Sequence, residues 1–204
     1  MRKIPATEVR KLRNALPFWL SLGMFPVAVL GAVLGGLWVV GLPLYSWVLF
    51  SVLDAINGKS EENADPETSE TELKYYRAIT LIWCPLQFVL LFWLIWYVPQ
   101  AAHLGLAEKI LLMFGAGVVS GTIGITYSHE LMHQKAAFER WLGDVLLAMV
   151  MYGHFRSEHL RVHHLYVGTP RDPVTARYNE GFHRFYPRVL FGCYRSAWRA
   201  EAAL

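Results

Sequence analysis

Cysteine is nearly absent from this 204-residue chain, and charge is thin. The two cysteines, Cys84 and Cys193, stand far apart in sequence. They give no disulfide framework, no CxxC redox pair and no thiolate metal site. Charged residues make up 17% of the chain and none falls in residues 15–53, which excludes an ordinary soluble surface over that stretch. No internal repeat is visible. No small-residue cleavage site follows the basic N-terminus, and the apolar run after it is too long for a secretory leader, so the run reads as retained.

What the chain has instead is apolar bulk, 54% of its residues with 14% aromatic, gathered in blocks rather than spread at helical period. About 20 such residues cross a bilayer. Residues 15–56 are too long for one span and fit two, with Gly35, Gly36, Gly41 and Pro43 marking the turn. A third span is expected over 78–98 and a fourth over 110–127. Residues 141–155, which include Asp144, read as a re-entrant or partly buried helix. The expected fold is therefore all-α: an integral membrane protein with about four transmembrane helices, a single domain over 1–204. Gly31 with Gly35, and Gly117 with Gly121, give two GxxxG spacings inside spans, which permit close helix contact.

Charge sets the expected orientation. If residues 1–14 are cytoplasmic, only Lys109 of the 19 Lys and Arg residues falls on the outer side, which is the positive-inside pattern. The loop 57–77, acidic and expected to be loosely packed, and the region 128–204 then share the cytoplasmic side of a multi-pass protein. Arg156, Arg161, Arg171 and Arg177 are read first as topology determinants, and docking of an acidic protein is the weaker reading. Nucleic-acid binding is not needed to explain the basic residues. The eight tryptophans are expected mainly as interfacial anchors and lipid-facing bulk, with Trp38 or Trp47 available to line an apolar channel.

Six of the eight histidines fall between residues 129 and 164. His129-Glu130-Leu131-Met132-His133 matches the HExxH pattern of zinc proteases, in which the glutamate is a general base. A second group, His159, His163 and His164, repeats the four-residue spacing and adds an adjacent imidazole. That is more ligand than one zinc uses. Five imidazoles at one membrane face point to two metal ions, and imidazole also suits iron, whose open positions bind dioxygen. His103 and His183 stand outside the cluster and read as structural. Glu130, Glu158 and His154 read as neighbours that bond within the site rather than as ligands.

The runs HELMHQ, YGHFRSEHLRVHH and TPRDPVTAR resemble the integral-membrane alkane 1-monooxygenases, non-haem di-iron enzymes related to the membrane fatty acid desaturases. Leu53-Asp54-Ala55 with Gly58, and Tyr186-Pro187-Arg188 through Arg195-Ser196-Ala197-Trp198, extend the resemblance. It implies that His129, His133, His159, His163 and His164 ligate two iron ions and that Asp172 orients a histidine or relays protons. It also implies hydroxylation of medium-chain n-alkanes to 1-alkanols in the inner membrane. Dioxygen is the oxidant, and electrons pass from NAD(P)H through rubredoxin reductase and rubredoxin. Val162 stands where this family usually has glycine. The chain also stops at Leu204, before the family's asparagine-and-histidine motif and third HxxHH cluster, so the resemblance implies an N-terminal fragment, C-terminally incomplete and inactive alone. Three other readings stay open: a membrane fatty acid desaturase or hydroxylase, a membrane zinc metalloprotease, and a non-catalytic membrane fragment.

Overall fold

The computed structural model describes residues 6–58 and 73–204. Residues 1–5 and 59–72 lie outside the described residues, and with them Arg2, Lys3 and most of the acidic loop expected to be loosely packed. Every regular element among the described residues is helical. Four helices are long and apolar enough to cross a membrane: Lys11–Leu34, Gly36–Ile56, Lys74–Gln100 and Leu106–Met132. The all-α expectation holds, with longer third and fourth spans than the apolar blocks alone indicate. Polar residues at their ends, Lys74, Arg77, Ser128 and His129 among them, continue the winding because each added residue still closes a backbone bond.

The chain divides into two compact units, Met1–Leu146 and Leu147–Leu204. In the first unit, the turn between the first two spans is confined to Gly35 and Gly36, whose φ values are +64° and +58°. Side chains disfavour that backbone region and glycine does not. Gly41 and Pro43, expected at the turn, lie inside the second helix instead. A Cβ on Gly41 would stand 2.9 Å from Val27 Cγ1, so this glycine serves close approach of the first and second spans. Gly31 does the same toward Leu112, whereas Gly117 and Gly121 face open space.

One carboxylate ties the connections at this end together. Glu108 Oε1 accepts the Gly36 amide at 2.6 Å and Oε2 accepts the Gly105 amide at 2.6 Å. It thereby satisfies an orphan donor at the start of the fourth span and closes the first hairpin. His103 Nε2 donates to the Ala32 carbonyl at 3.1 Å. Below them Ala32, Val39, Leu94, Val98, Leu104 and Leu112 form a buried apolar cluster drawn from all four spans and the connection before the fourth. Trp83 departs from the expected lipid-facing role. It is fully buried, edge-on to Tyr127 at 5.3 Å, and its indole N–H donates to Gln87 Oε1 at 2.6 Å. A buried indole needs such a partner.

Helix Ala137–Met149 starts earlier than the apolar stretch 141–155 and ends before it. Its start is fixed by Glu139, which is 6% exposed and takes hydrogen bonds from Arg77 Nε at 3.0 and 3.1 Å. Its end precedes Met151, a non-glycine residue at φ +55°. The second unit contains the short helix Phe155–Glu158, the turn His159–His163 and the long helix Phe182–Ala202.

Candidate metal centre

The first histidine group belongs to the first unit. Helix Ile125–Met132 carries His129, and His133 caps it. Two residues four apart on an α-helix share a face, and the two rings stand 4.8 Å apart between centroids, inclined at 66°. A wider π-turn, Ser120–Gly124, precedes this helix. Such turns recur at functional sites because one extra residue rotates everything after it. The back of the helix is held by helix Ala137–Met149. Ser128 Oγ donates to the Gly143 carbonyl at 2.8 Å, and a Cβ on Gly143 would stand 3.1 Å from the Ser128 carbonyl. His129 is half-buried and His133 exposed. Glu130, 61% exposed, accepts from His129 Nδ1 at 3.3 Å.

The second group belongs to the second unit and is built differently. His159–His163 is itself a π-turn, and the His164 amide donates to the His159 carbonyl five residues back. In an α-helix, residues five apart diverge by roughly 140°. The wider turn brings both the fourth and the fifth residue back beside the first. Accordingly His159 and His163 are stacked with centroids 5.4 Å apart, while His164 Nε2 lies 3.0 Å from His159 Nε2. The HxxxHH spacing thus converges three imidazoles only because the backbone leaves α geometry.

Asp172 fixes the third imidazole. Its carboxylate is buried and accepts from His163 Nδ1 at 3.0 Å, which leaves His163 Nε2 as the free lone pair. Asp172 also accepts from Thr175 Oγ1 at 2.6 Å and from the Val174 amide at 2.9 Å. Burial alone would raise its pKa; the hydrogen bonds from Thr175, Val174 and His163 outweigh burial and hold the carboxyl below its usual range. Thr175 is a site residue the histidine pattern does not reveal. Its signal is local, an Asp-x-x-Thr turn.

Glu158 is fully buried, and its two carboxylate oxygens have no hydrogen-bond partner among the described residues. Burial pushes its pKa up to about 7. His154 packs edge-on between Tyr152 at 4.6 Å and Tyr194 at 5.3 Å. Its Nε2 has no partner among the described residues, and burial lowers its pKa. His183 is exposed beside Phe182. Val162, within the turn, is 8% exposed.

The donor set suits a transition metal. Two nitrogen ligands about 2.1 Å from one ion and roughly at right angles are about 3 Å apart, which is the His159–His164 separation of 3.0 Å. Both cysteines are free and buried, so imidazole and carboxylate are the ligands on offer.

Residues 109–204 match the fatty acid desaturase family model. The chain is 33% identical over 198 residues to alkane 1-monooxygenase 2 of Pseudomonas aeruginosa, covering 91% of this chain and 52% of that protein. It is 36% identical over 164 residues to an alkane 1-monooxygenase of Pseudomonas putida, covering 79% and 40%. The xylene/toluene monooxygenase hydroxylase component of Pseudomonas putida is 25% identical over 194 residues, covering 93% and 50%. The chain spans about half the length of the curated relatives it matches. Residues 109–204 are thus similar to the fatty acid desaturase family, in a multi-pass membrane chain that is similar over most of its length to about half the length of the alkane 1-monooxygenases.

Proposed function

We propose that this chain acts within an oxidoreductase that hydroxylates the terminal carbon of medium-chain n-alkanes. In this reading His129, His133, His159, His163 and His164 ligate two non-haem irons, completed by ligands beyond these five. The observation that carries the reading is the braced trio, with His159 and His164 nitrogens 3.0 Å apart and His163 locked into one tautomer by Asp172. Iron held there would supply dioxygen activation, which with two electrons from the donor and two protons would place one oxygen atom in a terminal C–H bond and release the other as water.

The chain's own residues do the rest. Asp172 holds the His163 proton on Nδ1 and leaves Nε2 as the lone pair available to a metal. A cavity of about 480 Å³ in the first unit is lined by Phe18, Met24, Trp47, Phe50, Thr126 and Tyr127. It offers an alkyl chain apolar walls that end two residues before His129. Kinship supports the oxidation of alkanes, and the lysine and arginine distribution supports a cytoplasmic face in the inner membrane. Rubredoxin and its NAD(P)H-dependent reductase are assigned as electron donors on the family resemblance.

The test is a chimera in which residues 1–204 replace the matching part of the Pseudomonas aeruginosa relative, assayed in membranes with octane, rubredoxin and reductase. The expected result is 1-octanol and bound iron, both lost in His159→Ala. Full iron with desaturated acyl chains and no octanol would move the substrate to lipids. Stoichiometric zinc with proteolysis lost in Glu130→Gln would replace the proposal.

A further inference from the structure

We infer that the second unit carries an anion site distinct from the histidines, a groove that binds the phosphate of an anionic phospholipid headgroup. The groove, about 410 Å³, runs beside the long helix Phe182–Ala202 and is lined by Arg161, Tyr166, Arg171, Arg195, Ser196 and Arg199. Gly192 sets its width, since a Cβ there would stand 2.9 Å from Pro173 Cβ, and the loop bearing Arg171 therefore lies close against the helix.

Four guanidinium groups share this concavity, and among the described residues none has a carboxylate partner. The acidic side chains of the unit are committed elsewhere. Glu180 pairs with Arg188 at 2.5 Å, Asp172 with His163 and Thr175, and Glu201 with Ser157; Glu158 is sealed from solvent. Like charges held around one groove raise the local potential and favour an anion. The planar fork of arginine matches a phosphate with paired hydrogen bonds.

A second observation identifies the source of that phosphate. Phe191, Tyr194 and Trp198 on the same helix are 78%, 56% and 69% exposed. Positions i, i+3 and i+7 make one narrow stripe, and Arg195 and Arg199 run along its edge. Exposed aromatics bordered by arginine mark a helix that lies at the level of lipid headgroups. The anion present at that depth is the phosphodiester, and a net negative headgroup is favoured over a zwitterionic one.

Native mass spectrometry of the purified 204-residue chain in detergent tests this, with phosphatidylglycerol, phosphatidylcholine of the same acyl chains, inorganic phosphate and rubredoxin as probes. Phosphatidylglycerol should be retained preferentially, and retention should fall about tenfold or more in Arg195→Gln/Arg199→Gln. Arg184→Gln, outside the groove, should retain it. Arg161→Gln/Arg171→Gln repeats the loss from the opposite wall, with circular dichroism verifying the helix in each variant. Equal retention of the two lipids, or retention that ignores both double variants, would overturn the inference. So would displacement by millimolar phosphate, which would assign the groove to a free ion, or displacement by rubredoxin, which would assign it to a protein partner.

Discussion

The two histidine groups begin with the same four-residue spacing and are built on different windings. The pair His129 and His133 sits at the open end of an ordinary α-helix, with one ring half-buried and the other exposed, and its supports lie behind the backbone at Ser128 and Gly143. The trio sits in a π-turn, with His163 bonded to a buried aspartate that is itself held by Thr175 and Val174. The pair is positioned by its helix. The trio is positioned by side chains that fix rotamer and tautomer as well. Preorganisation of a ligand comes from that outer layer of hydrogen bonds, so metal binding should depend unequally on what surrounds the two groups.

Asp172→Ala should widen the contrast most. It removes the tautomer lock on His163, and ferrous or cobaltous ion affinity should fall about 10–100-fold in a competitive chelator titration. A change under threefold would show that the trio is no better braced than the pair. Arg77→Met tests the pair's side. It leaves Glu139 buried without its guanidinium, and thermal unfolding should lose about 2 kcal/mol, less than for a fully buried pair because Arg77 is a third exposed. Amide exchange should rise first at the start of helix Ala137–Met149. Thr175→Val removes one donor to Asp172, worth about 1 kcal/mol, and should reduce metal affinity only a few-fold by the same titration.

Smaller effects separate the groups by pH and by charge. Arg188 and the Arg177 amide hold Glu180 down to about 2. Because that folded value lies below the usual carboxylate pKa, its contribution is present above about 4.5 and is lost as pH falls toward 2. Amide exchange at residues 182–189 should therefore increase on acidification across that window, and Arg188→Gln should abolish the dependence. Glu130→Gln should do least. With its side chain 61% exposed, it should leave iron binding by the chain within about threefold. Loss of metal in this variant would make the pair's exposed neighbour as important as the trio's buried one.

Much of the architecture was legible in the sequence because its signals are long. Runs of apolar residues without charge locate four spans, and histidine spacing locates both groups. What escaped is geometry set by contact. Gly41 and Pro43 read as turn residues, but Gly35 and Gly36 suffice for the reversal, and Gly41 is needed where Val27 approaches. Trp83 read as lipid-facing until Gln87 supplied its partner. Convergence of His164 with His159 depends on a π-turn, which no side-chain period announces. Thr175 and the Arg77–Glu139 pair were hidden for different reasons, the first in a short turn and the second in residues 62 positions apart.

The fourth span is also a ruler. At 27 residues and 1.5 Å each it measures about 40 Å, against a hydrocarbon layer of about 30 Å. If Leu106 marks one boundary of that layer, roughly the last seven residues emerge at the other, and His129 stands among them. Membrane thickness then sets how wet this imidazole is: a thicker layer draws the pair toward the acyl chains, and a thinner one leaves it in water.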